Sequence, residues 1–218
     1  TALNQSRKAL TEKGKEEAIR IIETTELKND RVLVVYLPDC HESLAGIIAG
    51  RIREKYHRPA FVLTGGETSA KGSGRSIESY SMYEELVKCA DLMIQFGGHP
   101  MAAGLSIEEK NIEEFRRRLN VNCTLTDEEL RPKIVIDVPM PVSYITKELV
   151  EQISLLEPFG KGNTKPVFAQ KNLRVLDHSI IGKNKNVVKL KLLDSQGISV
   201  EGIYFGEAED FVNFIREK

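Results

Sequence analysis

The chain has 218 residues, of which 41% are hydrophobic and 29% are charged, proportions that are usual for a globular protein. This length suits one large domain or two small ones. Its apolar runs, such as Val32–Leu37, are far shorter than the roughly 18 residues that a membrane-spanning helix needs. Residues 1–25 also lack the apolar core of a secretory signal. We therefore expect a cytoplasmic protein with no membrane partner.

The charges nearly balance, since the chain has 31 basic and 32 acidic side chains and a formal net charge of −1. Any binding of nucleic acid must therefore come from local charge. Cys40, Cys89 and Cys123 are widely spaced and form no C-x-x-C pair, which predicts reduced thiols rather than disulfides. The chain begins at Thr1 rather than at methionine, and we expect a segment cut from a longer protein.

Hydrophobic spacing predicts a polar helix over residues 1–27, followed by a strand–helix–strand unit. The two strands are Arg31–Leu37 and Ala60–Leu63, and the helix between them is Glu42–His57. A unit of this size is typical of a parallel strand pair.

Residues 71–119 are predicted to alternate between extended and helical segments: a strand or loop at Lys71–Ile77, a helix at Ser81–Phe96, a strand at Ala103–Ile107 and a helix ending at Leu119. Gly97 and Gly98 are a stop signal for the first helix. Ser106 and Glu109 have the spacing of a capping box for the second helix.

Residues 120–132 lack periodicity and are the best candidate for a domain boundary. Beyond them the pattern predicts four strands and two helices: strands at Lys133–Val138, Val167–Ile181, Val187–Leu193 and Ile198–Phe205, with helices at Thr146–Leu156 and Glu207–Glu217. Several strands with one intervening helix suit a small barrel.

The sharpest local motif is K-G-S-G-R-S at residues 71–76. In an extended segment Ser73 and Arg75 project to one face, where a hydroxyl and a guanidinium together offer hydrogen-bond donors to a phosphate. We interpret the flanking glycines as letting a ligand approach the backbone. The alternative is a flexible Gly/Ser turn with a solvated arginine.

A second motif is G-G-H-P at residues 97–100, in which His99 is a candidate to donate a hydrogen bond to a phosphate or to accept a proton. The alternative is a helix cap with a structural histidine. Cys40 beside His41 raises a nucleophile hypothesis, but no third group can be assigned to orient them, so a buried thiol and a structural histidine are favoured.

The sequence contains no H-x-H, no H-E-x-x-H and no Cys/His cluster at metal-ligand spacing. We therefore predict no metal site and no hydrolytic activity in this chain by itself.

A basic stretch is hidden in the neutral total. Residues 160–191 hold eight Lys or Arg against one acid, whereas residues 192–218 hold two against six. Lys189 and Lys191 alternate with apolar residues and should share the outer face of a strand. A basic barrel face is how oligonucleotide-binding folds follow a nucleic-acid backbone. The alternative is a solvated lysine face.

Several motifs occur in one order: HESLAGIIAGRI, HRPAFVLT, KGSGRSI, FGGHPMAAGLSI, EPFGKGNTKPVF and VVKLKLLD. In this combination, over residues 31–206, the chain resembles the RecJ family of bacterial single-stranded-DNA-specific exonucleases, in the DHH phosphoesterase superfamily. The resemblance implies an α/β (α+β) DHH-associated domain with a mixed sheet and then a small OB-type β-barrel. The implied boundaries are a connecting helix at 1–28, the substrate-binding DHH-associated domain at 29–121 and the OB-type domain at 132–218.

The resemblance also implies roles for residues. Ser73 and Arg75 would hold a terminal 5′-phosphate, and Gly97, Gly98 and His99 would close over substrate phosphates, with His99 assisting catalysis. Arg7 is a further candidate phosphate ligand on the connecting helix. The candidate ssDNA-binding lysines of the OB-type domain are Lys161, Lys165, Lys183, Lys185, Lys189 and Lys191.

The DHH domain of the family, which holds Mn²⁺ or Mg²⁺, has no counterpart in this sequence. We therefore expect a C-terminal part of a 5′-to-3′ exonuclease of DNA repair and recombination, which binds no metal cofactor and is inactive alone. Its expected partners are single-stranded DNA, the upstream DHH domain, and a single-strand-binding protein or helicase. The alternatives are a stand-alone nucleic-acid- or protein-binding module, or a DHH-type phosphoesterase fragment acting on short oligonucleotides.

Overall fold

The computed structural model describes residues 2–160 and 162–217. The chain forms two compact units, residues 1–132 and 133–218. Of the helices described, none has the length and apolar character needed to cross a membrane.

The described residues of the first unit form four α-helices and five strands: α1 (Ala2–Thr24), β1 (Leu33–Leu37), α2 (Glu42–Tyr56), β2 (Ala60–Thr64), β3 (Ala70–Arg75), α3 (Met82–Val87), β4 (Met93–His99), β5 (Ala102–Ile107) and α4 (Ile112–Val121). The strands form one sheet in the order β1-β2-β3-β5-β4. The pair β1–β2 is parallel, which confirms the predicted strand–helix–strand unit, and the remaining pairs are antiparallel.

Successive side chains of the strands point to opposite faces of this sheet. On one face, Val35 and Val62 pack against Ile48 and Ile52 of α2, together with the C-terminal half of α1. On the opposite face, apolar side chains of β2 and β5 pack against α3 and α4. Helix α2 covers the first face over β2 and β3, and α1 contacts β1, whereas most of the residues on that face of β4 and β5 are exposed.

The helix predicted over residues 81–96 is correct only in its first part. Helix α3 ends at Val87, a 3₁₀ turn follows at Ala90–Leu92, and Met93–His99 is the edge strand β4. Gly97 and Gly98 therefore lie in a strand and do not end a helix. The reason is tertiary, because β5 pairs with residues 93–99 across a two-residue turn and Phe96 packs against the core of the opposite face.

The predicted capping box is also wrong. Ser106 lies in β5, and its hydroxyl accepts a hydrogen bond from Lys71 Nζ at 3.0 Å. A 3₁₀ turn at Glu109–Asn111 precedes α4. The second predicted helix is present as α4, and its Phe115 and Leu119 are fully buried.

Residues 120–132 belong to the first unit and are held to its start. The Asn120 side chain accepts hydrogen bonds from the backbone N–H groups of Arg31 (2.9 Å) and Val32 (3.0 Å) and donates to the Val32 carbonyl. Further along, Leu125 is buried and Asp127 forms an ion pair of 2.7 Å with Arg31.

Within the described part of the second unit there are five strands and two α-helices: β6 (Val138–Pro139), α5 (Lys147–Ser154), β7 (Phe168–Ala169), β8 (Arg174–Ile181), β9 (Val187–Leu193), β10 (Ser199–Phe205) and α6 (Ala208–Arg216). Strands β8, β9 and β10 form an antiparallel sheet, and β6 pairs with β7 in parallel. Ala208 and Val212 of α6 pack against Val188 and Leu190 of β9.

Two predicted strands of this unit are shorter than expected. The strand expected at Lys133–Val138 is reduced to Val138, the first residue of β6, and the one at Val167–Ile181 is divided into β7 and β8. The division occurs where Asn172 adopts a positive φ of 59°, which strand pairing does not allow.

Candidate functional site

Ser73 and Arg75 lie side by side on β3, half-buried, on the face that α2 covers. Arg75 Nη1 donates to Ser73 Oγ at 3.1 Å and to the Gly74 carbonyl at 2.7 Å. In the described part of the chain no carboxylate forms an ion pair with Arg75. Because its remaining N–H donors face no protein anion, this pair is suited to a phosphate. The alternative of a flexible turn is wrong, since β3 pairs with strands on both sides.

The flanking glycines serve the core rather than a ligand. A Cβ at Gly72 would lie 2.8 Å from Leu63 Cδ2, and a Cβ at Gly74 would lie 2.6 Å from Met82 Sδ. Both positions point away from Ser73 and Arg75, into the packed opposite face. Our interpretation that these glycines let a ligand approach is therefore wrong.

A glycine on α2 makes room for the arginine. A Cβ at Gly46 would lie 2.8 Å from Arg75 Nη2 and 3.0 Å from Ser73 Oγ. At Gly50, one helical turn later, a Cβ would meet only Arg75 Cγ, at an ordinary 4.0 Å. Sequence reasoning missed Gly46, although a glycine inside a helix costs about 1 kcal/mol relative to alanine and so calls for a reason.

Strand register gathers the motifs on one surface, which we call the polar face. It consists of three rows that run across β3, β5 and β4: Lys71–Ser106–Gln95, Ser73–Gly104–Gly97 and Arg75–Ala102–His99. The middle row has no side chain beyond Ser73, and a Cβ at Gly97 would meet nothing within 4 Å. The centre of the polar face is therefore open backbone.

His99 ends β4 and is exposed. Its Nδ1 accepts a hydrogen bond from Met101 N at 3.2 Å, so the neutral ring carries its proton on Nε2, where it can be donated to a ligand. One strand, β5, lies between it and Arg75, so two interstrand spacings give a backbone distance of about 10 Å. Gly98 adopts a φ of 153°, and a Cβ there would lie 2.4 Å from the Ala102 carbonyl oxygen.

Arg7 lies exposed on the N-terminal half of α1. Contact between α1 and α2 occurs further along, where a Cβ at Gly14 would lie 2.6 Å from Ile48 Cδ1. The phosphate-binding role of Arg7 stays a prediction.

Cys40 and His41 have structural surroundings. His41 caps α2, with its Nδ1 accepting from Ser43 N at 3.2 Å. Burial raises the pKa of the Cys40 thiol, which disfavours the nucleophilic thiolate.

Across residues 2–160 and 162–217, no group of three or more His, Cys, Asp or Glu side chains is arranged to hold a metal ion. These residues do not fit a metal centre.

The second unit has its own candidate surface, which we call the lysine face: the side of β8, β9 and β10 on which Lys189 and Lys191 are exposed. Their shared exposure confirms the predicted outer face. Acids stand beside them, however. Lys191 lies in register between Glu201 and Asp177, and Lys189 Nζ forms an ion pair of 2.8 Å with Glu201. The basic and acidic stretches of the sequence thus meet on this face.

The other lysines are less constrained. Lys165 is exposed, and Lys183 and Lys185 are exposed in the turn between β8 and β9. Lys161 lies outside the described residues. DNA contact by any of these lysines stays a prediction.

Comparison with known proteins agrees with this arrangement. Residues 29–123 match the model of the DHHA1 domain, and residues 136–218 match that of the RecJ OB domain. The single-stranded-DNA-specific exonuclease RecJ of Bacillus subtilis is 34% identical over 213 residues, which are 95% of this chain and 27% of that protein. RecJ of Escherichia coli is 33% identical over 214 residues, covering 94% of this chain and 37% of the relative.

The fold agrees as well. A crystal structure of RecJ in complex with Mg²⁺ from Thermus thermophilus superposes with a TM-score of 0.72 at 25% identity, over 94% of this chain and 31% of that one. This chain belongs to the RecJ family. It spans about a third of the length of these RecJ proteins.

Within the RecJ family architecture, the polar face belongs to the DHHA1 domain and the lysine face to the RecJ OB domain. Ser73, Arg75 and His99 were predicted from the sequence, whereas Lys71 and Ser106 of the same face were not. Lys71 is the first residue of the K-G-S-G-R-S motif, two residues before Ser73. Because side chains alternate along a strand with a period of two residues, this spacing places it on the same face.

Proposed function

We propose that this chain holds the 5′ end of single-stranded DNA for a RecJ-type 5′-to-3′ exonuclease of DNA repair and recombination. The observation that carries the proposal is the half-buried Arg75, which contacts Ser73 Oγ and has no carboxylate partner in the described residues. A 5′-terminal phosphate supplies the missing anion. The relatives are named single-stranded-DNA-specific exonucleases, which supports DNA as the ligand.

Each part of the polar face has a task in this proposal. Arg75 and Ser73 donate hydrogen bonds to the terminal phosphate, and α2 keeps the guanidinium in place beside Gly46. The row of Gly97 and Gly104 lets the sugar–phosphate chain lie against the backbone. His99 donates its Nε2–H to a phosphate at the edge of the sheet, beside the hydrolytic site.

We place the hydrolytic step outside residues 2–160 and 162–217. These residues bring together no set of metal ligands, whereas a related RecJ crystallises with Mg²⁺. The chain alone should therefore bind DNA without cutting it, with a DHH domain as its catalytic partner. Robust cleavage of single-stranded DNA by the highly purified chain with Mn²⁺ would overturn this division of labour.

The binding role is tested by comparing 5′-phosphorylated and 5′-hydroxyl oligothymidylates that carry a fluorophore at the 3′ end. Anisotropy should show tighter binding of the phosphorylated strand by about tenfold, as a charge-assisted contact implies. Binding should weaken steeply as salt rises. Equal affinity for the two ends would refute the assignment of the 5′-phosphate to Arg75.

A second candidate substrate class is short oligonucleotides, and the lysine face favours it. Because Glu201 and Asp177 stand beside Lys189 and Lys191, that face offers less attraction to a long strand than its lysines suggest. Affinity measured against strand length separates the two. A rise that stops after two or three nucleotides supports short substrates, and a continued rise supports a long bound strand.

A further inference from the structure

We propose that Lys71 and Ser106 form a second phosphate subsite, which binds the internucleotide phosphate that follows the 5′-terminal one. This inference rests on the proposed binding of the 5′-phosphate at Ser73 and Arg75. It adds a second point of attachment for the strand, in the neighbouring row of the polar face.

The subsite lies one step along β3 from the first. Lys71 and Ser73 are two residues apart and on the same face, so their backbones are separated by about 6.7 Å. This distance is comparable to the spacing of neighbouring phosphates in an extended single strand. Lys71 is exposed, and its long side chain can follow a phosphate placed beside Ser73.

Its hydrogen bonds are arranged for an anion. Lys71 Nζ donates to Ser106 Oγ at 3.0 Å, and β3–β5 register fixes the two residues opposite each other. Ser106 is 8% exposed. Because its oxygen accepts from the ammonium group, its hydroxyl proton remains available to a ligand. Gln95 continues the row on β4 and adds an amide donor.

The charge of Lys71 is not neutralised by the protein. Several other cations of this unit have carboxylate partners, among them Arg116 with Asp30, Arg118 with Asp91 and Lys88 with Glu85. In the described residues Lys71 has a hydroxyl partner and no ion pair. It shares this property with Arg75, on the same strand and face.

There is space for a ligand beside Lys71 and Ser73, although Ser106 is not part of its lining. A cleft of about 270 Å³ opens between the start of α2 and β3, and both Lys71 and Ser73 line it. Ser43 adds a hydroxyl to the lining. Glu42 lines the same cleft, and its carboxylate opposes an anion there, so Glu42→Gln should strengthen binding of the second phosphate.

The test compares ligands with one and two phosphates. The mononucleotide 5′-pT and the dinucleotide 5′-pTpT compete with a 3′-labelled, 5′-phosphorylated oligothymidylate for the whole chain. Lys71→Gln should weaken 5′-pTpT about tenfold and change 5′-pT by less than about twofold. Lys71→Arg should restore most of the loss, and with the long strand Lys71→Gln should lower the salt slope by about 0.7.

The control is Lys88→Gln, at the C-terminal cap of α3, the helix that packs against the opposite face. It should change the affinity for neither ligand. Thermal unfolding confirms that each variant is folded. Three outcomes overturn the subsite: no advantage of 5′-pTpT over 5′-pT in the wild type, no effect of Lys71→Gln on either ligand, or an equal loss for both. The 5′-phosphate proposal fails separately, if the wild-type chain binds 5′-pT no better than unphosphorylated thymidine.

Discussion

The polar face and the lysine face show how differently two clusters of cations behave in one chain. On the polar face, Arg75 and Lys71 have hydroxyl and carbonyl partners and no ion pair in the described residues. On the lysine face, Glu201 pairs with Lys189 and lies opposite Lys191. Both clusters are evident in the sequence. The two clusters differ in what the neighbouring strand presents to them. On the lysine face an acid on the adjacent strand pairs with a lysine, and this partner is not evident from the sequence around the lysine.

Replacing Arg75 should have the largest effect. Arg75→Gln removes the charge and the paired donors, and we expect binding of 5′-phosphorylated single-stranded DNA to weaken by about 2 kcal/mol, or roughly thirtyfold. Binding of 5′-hydroxyl DNA should change far less. Anisotropy titration with both strands measures the difference.

Arg51→Gln is the matched control, since Arg51 is an exposed arginine on α2 that pairs with Glu54 at 3.0 Å. It should leave both affinities unchanged. Equal losses for the two strands in Arg75→Gln would mean that the arginine provides only general attraction.

Gly46→Ala tests whether the polar face depends on the room that α2 leaves. The new methyl group would displace the Arg75 guanidinium, and we expect about a tenfold loss of affinity for the 5′-phosphorylated strand. Gly50→Ala provides the comparison in the same helix. It should leave binding intact, and alanine should stabilise the helix by up to about 1 kcal/mol. If both variants bind like the wild type, Gly46 does not position Arg75.

On the lysine face the expected effects are smaller and run in both directions. Glu201→Gln releases Lys189, and binding of a long single strand should strengthen about twofold to threefold, because an exposed ion pair is worth at most about 1 kcal/mol. Lys189→Gln should weaken binding by a similar factor. Salt titrations of both variants measure these changes. No change in either would place DNA away from this face.

Cys40→Ala should have the smallest effect, since this residue belongs to neither face. Burial raises the pKa of its thiol, so iodoacetamide at pH 7.5 should alkylate it more slowly than a free cysteine. DNA binding by Cys40→Ala should equal that of the wild type. Fast alkylation together with lost binding would revive the nucleophile hypothesis.

Local patterns were sufficient for most of the fold. The parallel pair of β1 and β2, the apolar face of α4 and the turns around β9 follow from periodicity and turn residues. The pattern failed for residues 88–99, where pairing with β5 makes a strand of a segment that reads as helical. Such pairing is a long-range property and leaves no local signal.

The candidate site was likewise predictable from the sequence only in part. Alternation along a strand predicts that Ser73 and Arg75 share a face. It does not predict that His99 lies on that face two strands away, because the strand assignment of β4 is required first. Nor does it distinguish the roles of the glycines, because each role depends on what a Cβ at that position would touch. A Cβ would touch the core at Gly72 and Gly74, the arginine at Gly46, and nothing at Gly97.

The row of Ser73, Gly104 and Gly97 has a consequence for what the surface can read. Base identity is recognised through side chains that hydrogen-bond to base edges, and this row carries only one hydroxyl and two bare stretches of backbone. Under the proposed function, a strand that lies across it is bound alike whether it carries purines or pyrimidines at that point. Such indifference to sequence suits a surface proposed to bind single-stranded DNA of any sequence.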